Sequence, residues 1–326
     1  MKKILKIILG LVGLVAALFW AVHGVPYSKI IESFYGMNEL LIGSVLVLTI
    51  GNLFIRALVW KQVAGTLKPL TIKNALINYI LGVFSNLFLP FKLGDVAQGY
   101  ALGKNQHINP VSAVSAVLIQ RVFEVSSLLL VMFIVAIVFS VPYLYQLRAM
   151  ALVLILILVV SIIFQLYQKR LRIISFVQRF CARYSPDFAK TVGFILDNLI
   201  KGTSAMHNAR VVIKILILSI ISWGVQICMV KLTADALSID IDFIASSVVL
   251  MIINVGLTVP MAPGNVGTFQ VFGIIALSLY SVTKTKALAF SIVYQVIQGV
   301  PVIIGGIICL LIYLKKSAHT RMHLNR

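Results

Sequence analysis

The chain has 326 residues, 60% hydrophobic and 11% charged, with a formal net charge of +19 and a mean hydropathy of +1.04. So little polar surface excludes a water-soluble domain, and with it the nucleic-acid binder that such a positive balance would suggest in a soluble protein. Lipid is the solvent for most of the chain, and its long apolar runs without alternation exclude a transmembrane barrel, which leaves helices.

The first run, Ile4 to Val22, reaches the roughly 20 apolar residues that cross a hydrocarbon core as a helix. It lacks a small-x-small cleavage site before Gly24-Val25-Pro26 and is read as a retained span rather than a signal peptide. Leu40 to Trp60 is the second span, and Arg56 near its end is expected to snorkel. Between Lys73 and the next span, which starts near Val111, the stretch Asn74 to Gly103 offers only about 30 residues, whereas two crossings need about 40. This predicts a hairpin over 74–103 that dips in and returns, with two short full spans as the alternative. Val111 to Val141 then leads out, Ala149 to Tyr167 back, and Val211 to Val230 out again. A second hairpin over 244–283 enters from that face, and Ala287 to Leu314 is the last span.

Basic residues orient the chain. Lys2, Lys3 and Lys6, then Lys61, Lys68 and Lys73, then Lys169 to Arg210, and finally Lys315, Lys316, Arg321 and Arg326 all mark the cytoplasmic side, while Asp235, Asp240 and Asp242 mark the other. The expectation is an inner (plasma) membrane protein with both termini cytoplasmic. The loop 168–210 reads as two surface helices. In the first, Ile173, Val177, Phe180 and Cys181 share an apolar arc and Arg172, Arg179 and Arg183 a basic one, as on an anionic leaflet. In the second, Ser185-Pro186-Asp187 opens a helix that ends at Gly202.

Two segments share a pattern. Asn86-Leu87-Phe88-Leu89-Pro90-Phe91-Lys92-Leu93-Gly94-Asp95-Val96 aligns without gaps with Gly256-Leu257-Thr258-Val259-Pro260-Met261-Ala262-Pro263-Gly264-Asn265-Val266. Pro90 meets Pro260, Gly94 meets Gly264 and Asp95 meets Asn265. Entering from opposite faces, the two tips describe an inverted-topology repeat, a construction that places binding sites between halves. Broken helices at membrane depth line cavities, and the helix N-termini near Asp95 and Asn265 suit an anion; simple kinks in packed helices are the plainer reading. Arg121 and Glu124, spaced i and i+3 inside a span, and Lys92 and Asp95 at the first tip are costly in lipid unless paired. A salt bridge that only locks helices fits Arg121 and Glu124 equally well.

Leu-Pro…Gly-Asp…Tyr-x-Leu over Asn86 to Leu102, then Arg121-x-x-Glu124, and Ala262-Pro263-Gly264-Asn265-Val266-Gly267-Thr268 together resemble the transmembrane region of the lysylphosphatidylglycerol synthase/flippase family, over essentially the whole chain. The resemblance implies a flippase-like fold with two re-entrant elements and a role in moving phospholipids or polyprenyl-linked intermediates. Relatives carry charged residues where this chain has Gln98 and Gln270, so its head group is expected to differ. The family's soluble aminoacyl-transferase domain has no counterpart here, so lysyl transfer by this chain is not expected.

The expected architecture is therefore an all-α polytopic membrane protein of about six full spans plus two re-entrant hairpins. It forms one transmembrane domain over 1–326, with halves 1–141 and 211–314. The expected function is a carrier or flippase for an anionic phospholipid or polyprenyl-phosphate lipid, with membrane lipids as partners. The alternative is a scaffold or subunit working with a partner synthase or a lipid- or glycan-modifying transferase. The candidate cavity residues are Asn86, Pro90, Lys92, Gly94, Asp95, Gln98, Tyr100, Arg121, Glu124, Pro263, Gly264, Asn265, Gly267 and Gln270. Asp240-x-Asp242 is the best sign of a metal-dependent sugar transferase, but it sits in a short polar loop. The 3 cysteines and 5 histidines make no disulfide framework and no ligand spacing. No nucleophile triad or phosphate loop appears either, so no catalytic residue, metal or cofactor is expected.

Overall fold

A computed structural model describes residues 21, 27–89, 92–138, 169–182, 185–257 and 263–324, and their regular structure is helical throughout. In chain order the helices are α1 Tyr27–Tyr35, α2 Glu39–Ala64, α3 Ile72–Phe88, α4 Leu93–Gln106, α5 Pro110–Val138, α6 Arg170–Ala182, α7 Pro186–Lys201, α8 Ala209–Ala236, α9 Phe243–Gly256, α10 Thr268–Ser278 and α11 Lys284–Leu324. Four have the length and apolarity to cross a bilayer: α2, α5 over Pro110–Val135, α8, and α11 over Lys284–Ile312. The expected spans Ile4 to Val22, but for Ala21, and Ala149 to Tyr167 lie outside the described residues.

The starts of these helices are written in short polar residues. Asn38 accepts from the backbone N–H groups of Leu40 and Leu41 at 3.1 and 3.2 Å, and Asn208 accepts from those of Arg210 and Val211 at 3.0 and 3.4 Å. Asn109 accepts from Val111 at 2.9 Å just before Pro110, whose missing N–H costs nothing in a first turn. Asp242 accepts from Ala245 at 2.6 Å, so the second acid of Asp240-x-Asp242 is the N-cap of α9.

The chain divides into two compact units, one comprising Met1–Phe54, Ile80–Gly94 and Gly224–Arg326, the other Ile55–Tyr79 and Asp95–Trp223. In the first, α10 packs on both α9 and α11, and α1 packs on α11. Small residues set the spacing, as expected where lipid supplies no hydrophobic drive. A Cβ on Gly256 would strike the Phe272 ring, and one on Gly306 would strike Phe84 of α3. Tyr294 stacks on Phe290 with ring centroids 5.6 Å apart and meets Phe269 at 5.9 Å, tilted by 33°. Pro301 lies inside α11.

In the second unit, α5 is the central element. A Cβ on Gly99 of α4 would lie 2.5 Å from the Val114 Cα, so only glycine admits this approach. Trp60, fully buried, donates to Asn78 Oδ1 at 2.8 Å, and Asn78 donates on to the Gln98 carbonyl at 3.1 Å. Helices α6 and α7 form an antiparallel pair, and α7 with the 3-10 turn Gly202–His207 rests on α5. The expected arcs of α6 are corrected here. Ile174 and Cys181 face inward, while Phe180 is exposed together with Phe176, on the side that carries Arg172 and Arg179.

The helices that fall in the segments expected to be hairpins are short: 17, 14, 14 and 11 residues for α3, α4, α9 and α10. At 1.5 Å per residue they measure about 26, 21, 21 and 17 Å, against a hydrocarbon core of about 30 Å. Lys68 Nζ donates to the Gln106 carbonyl at 2.7 Å, so segment 72–106 ends beside where it starts. Lys286 Nζ likewise donates to the Ser238 carbonyl at 2.8 Å and closes the base of the segment that holds α9 and α10.

Candidate functional site

Asp95 falls in the first turn of α4, where the helix dipole favours an acid, and its carboxylate is turned toward α5. There it takes both edges of one guanidinium: Arg121 Nε donates to Oδ2 at 2.8 Å and Nη2 to Oδ1 at 2.6 Å. The remaining Arg121 nitrogen, Nη1, donates to Glu124 Oε2 at 2.6 Å. Glu124 Oε1 accepts from Gln120 at 3.0 Å and lies 3.9 Å from Arg56 Nη1 of α2. Arg56 in turn donates through Nε to Ser222 Oγ at 3.2 Å and lies 5.1 Å over the Trp223 ring. The indole N–H of Trp223 donates to the Glu124 carbonyl and to Ser127 Oγ, both at 3.1 Å. Two arginines and two carboxylates thus form one charge-balanced network among apolar helices, the condition under which such groups persist at membrane depth. Beside it Arg56, Val59, Glu124, Ser219, Ser222 and Trp223 line a narrow gap.

Arg56 and Trp223 were not among the sequence candidates, and the snorkelling expected of Arg56 is wrong. With α2 running to Ala64 rather than Trp60, Arg56 sits two turns inside the helix, and its side chain is only 19% exposed. Gln98 is buried, and its side-chain Nε2 has no hydrogen-bond partner among the described residues. Tyr100 is 56% exposed.

The first tip as far as Gly94 and the whole of the second belong to the other unit, and they meet. A Cβ on Gly264 would stand 3.3 Å from the Leu87 carbonyl oxygen. Around the second tip the backbone turns left-handed at Gly264, Asn265 and Gly267, with φ of 62°, 57° and 82°, which glycine and asparagine tolerate best. Gln270 then fixes the turn: its Oε1 accepts from the Gly267 N–H at 2.7 Å, its Nε2 donates to Gln295 Oε1 at 2.6 Å, and Gln295 Nε2 donates to the Gly264 carbonyl at 2.9 Å. The helix N-terminus expected near Asn265 is instead at Thr268, and Asn265 belongs to the 3-10 turn Pro263–Asn265.

At the first tip the matched glycine has a different task. Gly94 makes room for Asn86, since a Cβ would come within 2.5 Å of its backbone nitrogen and Oδ1, while the left-handed residue is the exposed Lys92, φ 55°. Pro90 lies outside the described residues. Among the described residues no group of His, Cys, Asp and Glu is placed to hold a metal ion.

No curated protein matches the chain. The family described as the lysylphosphatidylglycerol synthase TM region matches over residues 7–306. With apolar spans of bilayer length and a match across nearly its whole extent, this chain is a multi-pass membrane protein that belongs to the lysylphosphatidylglycerol synthase TM region family, related to lipid modification or transport.

Proposed function

We propose that the protein is a carrier of flippase type for an anionic phospholipid or a polyprenyl-phosphate lipid, and that Arg121 receives the phosphate by exchanging it for Asp95. The observation that carries this reading is the bidentate Asp95–Arg121 pair on a short, interrupted helix. An arginine fork that holds a carboxylate in parallel N–H···O bonds has the geometry to hold a phosphate. Every nitrogen of that fork is occupied, so binding requires displacement of a carboxylate; Glu124 and Arg56 keep the network neutral while Asp95 is released. The lengths of α3, α4, α9 and α10 and the closed bases of their segments support two re-entrant hairpins, and the alignment of their tips supports an inverted repeat. The unlike roles of Gly94 and Gly264 confine that repeat to the path of the chain and not to its turn geometry.

Reconstitution into liposomes with labelled anionic phospholipids and polyprenyl phosphates tests the proposal through the rate at which label changes leaflet. The intact chain accelerates at least one of them, and Asp95→Asn, which keeps shape but weakens the pair, alters that rate. Acceleration of none supports the scaffold reading. A stably folded Arg121→Gln/Glu124→Gln variant that moves lipid at the parent rate removes the head-group site from this network.

A further inference from the structure

The α6–α7 pair carries a surface that the exchange site does not use. On α6, Arg172, Phe176, Arg179 and Phe180 recur at the i, i+4, i+7 and i+8 positions of one face, opposite the buried Ile174 and Cys181. Phe176 is 66% exposed, Phe180 54%, and Leu171 beside them 71%. Neither Arg172 nor Arg179 has a carboxylate partner among the described residues, whereas Lys201 of α7 is paired with Asp197 at 2.6 Å.

The depth of this surface is fixed by what holds the pair. Ser112 and Ser115, in the first two turns of α5, donate to Asn198 Oδ1 at 3.1 Å and to the Leu199 carbonyl at 2.5 Å. Thr66, two residues beyond the end of α2, shares a 2.8 Å hydrogen bond with Ser204. The pair is therefore clamped at the ends of two spans, at the level where hydrocarbon gives way to head groups.

We propose that the outer face of α6 is a docking surface for anionic lipid head groups of that leaflet. Arg172 and Arg179 engage phosphates while Phe176, Phe180 and Leu171 enter the acyl boundary. A lipid surface fits better than a protein partner because uncompensated positive charge is interleaved with exposed aromatics at interface depth. The proposal does not depend on the exchange at Arg121, and its test involves no transport.

The full-length chain, with its three cysteines replaced by serine and a bimane label on Phe176→Cys, is reconstituted into vesicles containing either brominated phosphatidylglycerol or brominated phosphatidylcholine in equal amount. Quenching by the anionic lipid is expected to exceed that by the neutral one about twofold or more, and to fall toward it as salt screens the arginines. Arg172→Gln/Arg179→Gln should abolish the excess, and Arg172→Lys/Arg179→Lys should retain most of it. Protection from both lipids, as under a protein partner or in open water, overturns the proposal. So does equal quenching by the two lipids, or an excess that survives Arg172→Gln/Arg179→Gln.

Discussion

At the scale of single residues, the network around Glu124 is one thermodynamic object. Removing one member leaves a buried charge without its partner, so Arg121→Gln should lower stability by about 3–5 kcal/mol, seen as a reduced Tm in detergent. Arg121→Gln/Glu124→Gln restores neutrality between Asp95 and Arg56, and its cost should fall short of the summed single costs by about 0.5–3 kcal/mol. Strict additivity would mean that the 2.6 Å contact between Arg121 and Glu124 carries no coupling. Asp95, Arg121 and Glu124 were legible in the sequence because a charge stands out in an apolar run. Arg56 was not, for its span was ended at Trp60, where the hydropathy falls, while the helix continues through Lys61 to Ala64. The stacking of Arg56 on Trp223 joins residues too distant in sequence for any local pattern to report.

At the scale of elements, the chain of amides that fixes the second tip has a direction. Gln270 accepts at Oε1 and donates at Nε2, and Gln295 does the same one step further. Gln270→Glu therefore keeps the cap on the Gly267 N–H but sets its other carboxylate oxygen against Gln295 Oε1. Turning the Gln295 amide relieves that clash only by breaking its bond to the Gly264 carbonyl. The charged variant should thus lose about 1–3 kcal/mol, the cost of one buried polar group left unmatched. Gln270→Ala should lose the cap as well, about 0.5–2 kcal/mol more. Thermal unfolding in detergent ranks them, and a charged variant as stable as the parent would show that the tip tolerates another arrangement. The family resemblance marked this position as one where relatives carry a charge and this chain an amide. It could not show that the amide's donor end is what the turn uses, because Gln295 lies on another helix.

At the scale of the whole molecule, hydrogen bonds at the helix ends sort the loops into two sets. The Asn38 N–H donates to the Ala236 carbonyl at 3.0 Å, which brings the start of α2 to the end of α8, and Lys286 adds the start of α11 through Ser238. Thr66 to Ser204 joins the end of α2 to the approach to α8, and Lys68 to Gln106 adds the end of α4. The helices α2 and α8 are 26 and 28 residues, about 39 and 42 Å long, and if both cross the bilayer the two sets are expected on opposite faces. The first set holds Glu39, Asp235, Asp240 and Asp242 with Lys284 and Lys286, and the second holds Lys61, Lys68, Lys73, Lys104, Lys201 and Arg210; we propose from the larger basic excess that the second faces the cytoplasm. A single cysteine at position 240, in a cysteine-free background, should therefore react with an impermeant maleimide added outside intact cells, and one at position 68 only after the membrane is opened. If position 240 is labelled only from the cytoplasmic side, the proposed orientation is overturned, and if both positions react from one side the separation of the two sets is overturned as well.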